Sequence, residues 1–345
     1  MKNNRPVIGI TAGDPAGIGP EIILSALSDS GLYKLCKPLV IGDIGVLAAA
    51  KKCTGSALNL NSVSNPSEGS YRPETVDILS VSGLDSGEIS WGNPTVRTGK
   101  AMVEYVIAAT DMAIKKEIAA VVTCPINKKA MNMAGFNYNG HTELIAERTG
   151  TQNFVMMLAG DRLRVSLATI HMPLSRVSES ITTEHISKTI KITGDALIER
   201  FGIDFPKIAV AGLNPHAGEN GMFGDEEEII IRPAIELSVG GKYNVSGPYP
   251  PDTVFYDALN KNYDAVVCMY HDQGLIPFKI IHFTDGVNTT LGIPIIRTSV
   301  DHGTAYNIAG KGKANPGSLI AAIKMAVLQA ECLNKRTDAP RLRQR

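Results

Sequence analysis

The chain has 345 residues, enough for one large domain or two domains of medium size. Its 34 basic and 34 acidic side chains cancel, so the basic footprint of a typical nucleic-acid-binding protein is missing. No apolar run approaches the length of a membrane span, and the first residues contain no apolar signal core. The five cysteines form no CxxC pair. We therefore expect a cytoplasmic protein with reduced thiols, and neither a nucleic-acid nor a membrane partner.

Strand-like and helix-like segments alternate along the whole chain, which is typical of parallel βαβ units. The early predicted strands are VIGIT from Val7, PLVIG from Pro38 and AAVVT up to Thr123. Helices are predicted over residues 20–27, 99–114, 141–149, 184–201, 225–237 and 316–333. Loops are predicted over 59–73 and 82–94, and a solvated basic tail from 334 onwards. The sequence therefore predicts an α/β fold.

Three apolar, strand-like stretches each end in a histidine. They read RVSLATIHMP around His171, KIAVAGLNPHAGE around His216 and DAVVCMYHDQG around His271. Ligands of open α/β sheets bind at the carboxyl ends of the strands. Three imidazoles with an open coordination position are a frequent protein contribution to a catalytic metal site. The pattern predicts such a site; the alternative is three separate, hydrogen-bonded loop histidines.

Two turns precede predicted helices and could bind anions. GDPAGIGPE, from Gly13 to Glu21, does not have the glycine spacing of a dinucleotide fingerprint, and it is either a tight turn or a ligand loop. In GHTE, His141 and Thr142 stand where free helix amides attract an anion. His141 could instead pack on the turn, and Thr142 could simply cap the helix.

Polar side chains at Lys279, Asn288 and Arg297 form a further candidate set. Arg297 closes the apolar run GIPIIRTS, where a charge is costly unless it is paired or used. An arginine offers a planar fork to a carboxylate or phosphate, and a lysine offers a point charge. We expect these residues to bind an anionic substrate, the alternative being structural salt bridges.

The segment SVDHGTAYNIAGKGKANPGS resembles the adenosine-binding loop of isocitrate and isopropylmalate dehydrogenases. The matching positions, and so the candidate cofactor-binding residues, are His302, Gly303, Thr304, Ala305 and Asn315. Its glycines would let a nucleotide approach the backbone closely.

Eight motifs in order resemble the 4-hydroxythreonine-4-phosphate dehydrogenase family, which includes related D-threonate and D-erythronate 4-phosphate dehydrogenases. They are GITAGDPAGIGPE, CPINK, GHTE, NPHAGE, PPDTVF, MYHDQG, GVNTTLG and RTSVDHGTA. The resemblance implies a homodimer with an isocitrate/isopropylmalate-dehydrogenase-like α/β fold and an active site in the cleft between two domains. It also implies metal binding by His171, His216 and His271, and substrate binding by the GHTE pair and the three polar residues above.

The implied reaction is oxidation of 4-phosphooxy-L-threonine with NAD or NADP on the route to pyridoxal phosphate. The product, 2-amino-3-oxo-4-phosphooxybutanoate, would lose carbon dioxide to give 3-amino-2-oxopropyl phosphate. Three histidines favour zinc, with magnesium or cobalt as alternatives. The motifs leave open the D-threonate or D-erythronate 4-phosphate substrates, since the metal ligands and anion-binding residues would serve both branches.

Asp272 and Asp252 are the candidate general bases, or residues that orient a metal ligand. PPDTVF could instead begin a helix, with Asp252 as its N-cap. A metal-dependent hydrolase or a phosphate acyltransferase is a more distant functional alternative. We expect a first domain from residues 1–128 and 285–345, carrying the nucleotide loop, and a second from 129–284, carrying the metal ligands and the dimer contacts.

Overall fold

The computed structural model of the chain describes residues 5–338 and divides them into two compact units. Unit 1 consists of residues 5–152 and 293–330, and unit 2 of residues 153–292 and 331–338. The domains expected from the sequence divide the chain at 128/129 and 284/285 instead. The GHTE motif was therefore expected in the second domain, whereas it lies in unit 1. The basic end is helical as far as Asp338, and the rest of the predicted tail lies outside the described residues.

Unit 1 contains a fully parallel sheet with the strand order β3-β4-β2-β1-β5-β12. Its strands are β1 (Val7–Thr11), β2 (Lys37–Gly42), β3 (Asn59–Val63), β4 (Thr75–Ser80), β5 (Ala120–Thr123) and β12 (Arg297–Val300). The central strands are buried over almost their whole length, as expected for a sheet covered on both faces.

The helices of unit 1 connect these strands. They are α1 (Gly19–Leu27), α2 (Leu32–Leu35), α3 (Ile44–Thr54), α4 (Val96–Ile114), α5 (Lys128–Met133), α6 (His141–Arg148) and α12 (Gly317–Asp338), whose last turns belong to unit 2. Local sequence explains several ends. The Thr95 hydroxyl accepts a hydrogen bond from the backbone N–H of Thr98 and begins α4, and Gly55 at φ +66° ends α3.

Unit 2 contains a mixed sheet with the order β11-β6-β7-β10-β8-β9. Its strands are β6 (Val155–Ala159), β7 (Arg164–Leu167), β8 (Lys207–Ala211), β9 (Asn244–Tyr249), β10 (Ala265–Cys268) and β11 (Val287–Leu291). The expectation of parallel pairing fails at β6, which pairs antiparallel with both β7 and β11. Residues 160–163 are too short a connection for the crossover that a parallel pair needs.

The helices of unit 2 are α7 (Val177–Ser180), α8 (Thr183–Glu199), α9 (Arg232–Glu236), α10 (Val254–Leu259) and α11 (His271–Ile281). The helix predicted over 225–237 divides into a π-helical turn, Glu227–Ile231, followed by α9. A buried cluster that includes Leu167, Val266 and Phe278 joins β7, β10 and α11. This packing holds the strands that carry the candidate metal ligands.

The α/β fold predicted from the alternation is therefore confirmed. One predicted loop is wrong, because residues 59–63 form the edge strand β3. Its sequence NLNSV is polar, and only Val63 is buried, so it lacks the apolar pattern of a central strand. Among residues 5–338, no helix combines the length and apolar character needed to cross a membrane.

Candidate functional site

The three strands that precede the candidate metal ligands lie side by side in unit 2. β10 pairs in parallel with β7 on one side and with β8 on the other. Their carboxyl ends therefore meet at one edge of the sheet, where ligands of α/β sheets bind. His171 follows β7, His216 follows β8, and His271 follows β10 as the first residue of α11. All three histidines therefore follow the carboxyl ends of neighbouring parallel strands, at the same edge of the sheet.

His171 and His271 are neighbours at this edge. Their ring centroids are 5.7 Å apart, with 43° between the ring planes. Two imidazoles that share a tetrahedral zinc ion, with Zn–N bonds of about 2.0–2.1 Å, have centroids roughly 5 Å apart. The Nδ1 atom of His271 is 2.7 Å from an Oδ1 atom of Asp272. A proton on Nδ1 would donate to this carboxylate and leave the Nε2 lone pair for a metal. The observed pair thus fits two ligands of one ion.

His216 lies in a neighbouring pocket. Together with Asp252 it lines a pocket of about 570 Å³, while His171 and His271 line another of about 390 Å³. Asp272 borders both pockets, as does Tyr270. Within residues 5–338 of one chain, His216 does not join the other two histidines in a group whose ligand atoms all lie within 4.8 Å of one another.

The loop that carries His216 has a strained backbone, fixed by a buried carboxylate. His216, Ala217, Glu219 and Asn220 all have positive φ, between 42° and 57°. This left-handed region is unfavourable for residues other than glycine. Glu227, which is 1% exposed, accepts hydrogen bonds from the backbone N–H groups of Leu213 and Asn214, both at 2.7 Å. The Glu227 carboxylate therefore fixes the loop next to the site.

Asp252 and Asp272 differ in their surroundings. Asp252 is exposed and precedes α10, whose N-cap is Thr253, so Asp252 does not cap that helix. Asp272 is also exposed, but one of its oxygens is engaged by His271. The structure therefore removes the capping alternative for Asp252 and leaves it facing the His216 pocket.

One group of ligand-type side chains was not expected. Asp161, His282 and Asp285 are, among the described residues, the group of three whose ligand atoms all lie within 4.8 Å. The buried His282 ring places Nδ1 at 3.1 Å from Asp285 and Nε2 at 3.7 Å from Asp161. The two nitrogens of one imidazole point in different directions, so the arrangement is that of a ring bridging two carboxylates rather than of three ligands around one ion.

Lys279 and Asn288 lie in the same unit as the histidines. Lys279 is in the last turn of α11, with its Nζ atom 5.9 Å from the centroid of the Phe283 ring. Asn288 lies on β11, opposite Leu158 of β6. Both side chains are partly exposed. Each of these two side chains has an interaction partner in the described part of the chain.

His141, Thr142 and Arg297 form a buried polar cluster in unit 1. Arg297 is 2% exposed on β12, and its Nε and Nη2 atoms donate to the Thr123 hydroxyl at 3.2 and 2.9 Å. Burial lowers the pKa of Arg297 to about 10, and the charge of Glu143 opposes that shift. The guanidinium therefore remains charged at neutral pH.

His141 carries no charge at neutral pH. Burial, followed by repulsion from Arg297, lowers its pKa well below the ordinary value, while a hydrogen bond to the Cys124 carbonyl opposes that shift. Its Nε2 atom is buried without a hydrogen-bond partner among the described residues. Because the other nitrogen donates to Cys124, Nε2 can accept a hydrogen bond. Thr142 is buried in the first turn of α6, and the N-cap is Gly140, so the capping alternative for Thr142 is wrong.

The segment that resembles an adenosine-binding loop also lies in unit 1. His302 and Gly303 are exposed, whereas Thr304 is buried. Ala305 has φ +44°, an unfavourable conformation for alanine. The Asn315 Oδ1 atom accepts a hydrogen bond from the Gly317 N–H at 2.8 Å, at the beginning of α12. Asn315 therefore has a structural role in addition to the binding role expected of it.

Comparison with known proteins identifies the family. The family model described as pyridoxal phosphate biosynthetic protein PdxA matches residues 34–326. The chain belongs to this family. It is 58% identical over 330 residues to a 4-hydroxythreonine-4-phosphate dehydrogenase of Desulforapulum autotrophicum, covering 96% of this chain and 97% of the relative. The resemblance inferred from eight ordered motifs is confirmed.

Two further PdxA relatives show the range of the family. A Symbiobacterium thermophilum protein, provisionally named D-threonate 4-phosphate dehydrogenase, is 43% identical, with 96% of this chain and 99% of the relative covered. The crystal structure of 4-hydroxythreonine-4-phosphate dehydrogenase from Klebsiella pneumoniae is 39% identical, with a TM-score of 0.88. That alignment covers 96% of this chain and 99% of the other. Both named branches of the resemblance thus occur among the relatives.

Sequence reasoning missed the residues that hold the candidate site residues in place. Thr123 supports Arg297, and Glu227 supports the His216 loop. Thr123 ends a predicted strand, so its place at a strand end was visible. Its pairing with a residue 174 positions away was not, because that pairing depends on which strands are neighbours in the sheet. An acidic residue in a first helical turn has an ordinary explanation in the helix dipole, which hid the role of Glu227.

Proposed function

We propose that this PdxA-family chain oxidises 4-phosphooxy-L-threonine with NAD or NADP, as an oxidoreductase of pyridoxal phosphate biosynthesis in the cytoplasm. The product, 2-amino-3-oxo-4-phosphooxybutanoate, would then decarboxylate to 3-amino-2-oxopropyl phosphate. The observation that carries this proposal is the adjacent pair His171 and His271, at the edge where three parallel strands end, in a chain 58% identical to a dehydrogenase of that name.

A divalent ion, with zinc favoured, is proposed to bind at His171, His271 and His216. The spacing of the first two rings and the carboxylate behind His271 fit such an ion. When bound, it would polarise the substrate hydroxyl that loses its proton during oxidation. Asp272 would keep the proton of His271 on Nδ1, so that Nε2 faces the ion. Magnesium and cobalt remain alternatives to zinc.

The anionic groups of the substrate would need fixed positive charge, for which Arg297 and Lys279 are the proposed residues. Arg297 is a buried guanidinium that stays charged, and this suits a carboxylate or phosphate. Lys279 and Asn288 would add a second contact region in unit 2. His141, being neutral, would accept a hydrogen bond from a substrate hydroxyl or amine and would not act as a cation, and Thr142 lies beside it.

Asp252 and Asp272 are the proposed proton acceptors. Asp252 faces the pocket of His216 and does not cap the following helix. Asp272 is better suited to orient His271, because one of its oxygens already lies 2.7 Å from that ring. On this basis Asp252 would take the hydroxyl proton, while Asp272 would position the imidazole. Asp272→Asn should therefore weaken metal binding, and Asp252→Asn should lower kcat with the metal retained.

The nucleotide would bind at the loop of His302, Gly303, Thr304, Ala305 and Asn315. This proposal is supported by the close match of the segment to the adenosine-binding loop of related dehydrogenases. The choice between NAD and NADP is left to experiment, since the acidic residue that usually reads the ribose follows a glycine motif that this chain does not contain.

A homodimer is proposed, in which ligands of the metal are shared between two copies. Helix α11 exposes Ile276 and Ile280 at 60% and 79%, and Phe283 follows at 78%. An apolar face of this kind is a typical protein contact. Ile276 and Ile280 also line the pocket of His216, so a second copy on this face would lie next to a histidine that does not join the other two within one chain.

Pairwise complementation tests this sharing. Alanine variants of His171, His216 and His271 would be purified separately, mixed in pairs, unfolded mildly and reassembled. A pair from different copies of the shared site should recover about one quarter of wild-type activity, since half of the dimers are mixed and each has one intact site. A pair from the same copy should recover none. Failure of all three pairs would place the whole site within one chain.

The second candidate activity is oxidation of D-threonate or D-erythronate 4-phosphate, favoured by relatives of 41–43% identity provisionally named for D-threonate 4-phosphate. Purified protein would be assayed for NADH formation from NAD, and for NADPH formation from NADP, with each of the three phosphorylated substrates, with and without Zn²⁺. The proposed function requires the highest kcat/KM with 4-phosphooxy-L-threonine. A preference for either sugar acid would overturn it in favour of the second candidate.

A further inference from the structure

The segment 14–21, within the motif GDPAGIGPE, is tied to the candidate nucleotide loop at several points. The Ile18 N–H donates to the Thr304 carbonyl at 3.1 Å. A Cβ atom on Gly17 would lie 3.1 Å from the Thr304 Cβ atom, so these backbones approach closely. The Tyr306 hydroxyl donates to the buried carboxylate of Asp14. The two segments are 290 positions apart in sequence and form one packed structure.

Glu21 connects the two segments through both of its carboxylate oxygens. It is 1% exposed in the first turn of α1. One carboxylate oxygen accepts a hydrogen bond from the Gly310 N–H, and the other accepts from the Gly312 N–H at 2.8 Å. Both glycines have positive φ, of 77° and 62°. Trp91 lies against Gly310, where an added Cβ would be 2.5 Å from the indole ring. The carboxylate is therefore the direct partner of a glycine-rich turn that would otherwise be free to adopt many conformations.

We propose that Glu21 is a positioning residue for the nucleotide: it holds residues 304–312 in the conformation that binds the adenosine part of NAD. This inference depends on the proposed function, because it assumes that the loop binds the cofactor. A loop fixed before binding loses less conformational entropy when the ligand arrives, and this increases affinity. On this proposal the GDPAGIGPE motif holds the nucleotide loop in place and does not itself bind the ligand.

The test is a kinetic comparison of Glu21→Gln with the wild type. An amide retains one acceptor oxygen but turns an NH₂ group towards the second glycine N–H, so one hydrogen bond is lost and the charge is removed. The KM for NAD should rise about tenfold, whereas kcat at saturating NAD and the KM for the phosphorylated substrate should change less than about twofold. Calorimetric titration with NAD should show the same tenfold weakening.

Asp77→Asn is the matched control. Asp77 is also 1% exposed in unit 1, and it accepts from the backbone N–H of Tyr71 at 2.8 Å and from the Asn61 amide at 2.7 Å. It should lower the melting temperature as Glu21→Gln does, without changing the KM for NAD. Glu21→Asp, which keeps the charge, should restore part of the affinity. If Glu21→Gln does not fold, Tyr306→Phe removes another connection without a change of charge, and it should raise the KM for NAD about threefold.

The outcomes separate this inference from the proposed function. Wild-type protein that forms neither NADH from NAD nor NADPH from NADP with any of the three substrates would overturn both. An active wild type with an unchanged KM for NAD in Glu21→Gln, or in Tyr306→Phe if that variant is needed, would overturn the inference alone. Equal increases in Glu21→Gln and Asp77→Asn would also overturn it, because they would show a general loss of stability rather than a local effect on the loop.

Discussion

Replacing Glu227 by glutamine should disturb the metal site although Glu227 is not one of the proposed ligands. Its Oε1 atom accepts two backbone hydrogen bonds, from Leu213 and Asn214, and its Oε2 atom accepts from the Asn214 side chain at 3.0 Å. Hydrogen bonds to a charged group contribute about 1.5–3 kcal/mol each, and neutral ones about 0.5–1.5 kcal/mol. Removing the charge from three such bonds should therefore cost about 3 kcal/mol.

That cost falls on a loop that already stores strain. Four residues other than glycine in segment 216–220 have positive φ, and such conformations cost of order 1 kcal/mol or more each. Gly218 leaves room for the carboxylate, since a Cβ atom there would lie 2.7 Å from Oε2 of Glu227. With neutral hydrogen bonds the loop should relax, and His216 should leave its present position. Loss of such supporting contacts typically lowers metal affinity about 10–100-fold.

The assay is a Co²⁺ titration followed by visible absorption, together with urea unfolding of the metal-free protein. The control is Glu228→Gln, the same substitution one position later, at an exposed residue whose partner is Arg232 at 2.8 Å. A solvent-exposed pair of that kind contributes little to stability. If the two variants bind Co²⁺ equally well, the reasoning that links the buried carboxylate to His216 is refuted.

Three further predictions concern the substrate-binding residues. Arg297→Lys should raise the KM for the phosphorylated substrate about 10–100-fold, because an ammonium group cannot reproduce the planar guanidinium, which also donates to Thr123. The control is Arg200→Lys, at another buried arginine, which should lower stability but leave that KM unchanged. His141 has a depressed pKa in the folded state, so acid favours the unfolded state, which binds the extra proton. Above the unfolded pKa it has no effect, but at a pH about one unit below that value the folded protein should lose about 1.4 kcal/mol. In urea unfolding His141→Asn should show less of this acid loss, and an identical pH profile would contradict the assignment of a neutral ring. Lys279→Ala should raise the substrate KM about tenfold with little change in kcat, and an unchanged KM in steady-state assays would exclude its binding role.

The sequence predicted the elements that carry the site because their signals are local. Short, mostly apolar runs predicted β7, β8 and β10, and each histidine follows the end of its strand within about five residues. What could not be predicted was the order of the strands. The pairing of β10 between β7 and β8 depends on long-range packing, and so does the antiparallel hairpin at β6. The edge strand β3 was missed because its local signal is weak: most of its side chains are not buried, so its sequence has no apolar pattern.

The positions of the candidate site loops also depend on residues that carry no recognisable sequence signal. Glu227 and Glu21 are both buried carboxylates, and both accept hydrogen bonds from backbone N–H groups of loops outside their own helices. A buried carboxylate is usually expected to pair with a basic side chain, and the sequence contains many basic residues that could be proposed as its partner. Backbone donors occur at almost every position, so nothing in the sequence marks which of them the carboxylate will bind. Each glutamate also stands where the helix dipole already explains an acid. In this chain the carboxylates that hold the candidate site loops are therefore visible only in the folded structure. We expect substitutions that remove these buried charges to weaken ligand binding, although neither glutamate is proposed to contact the ligand.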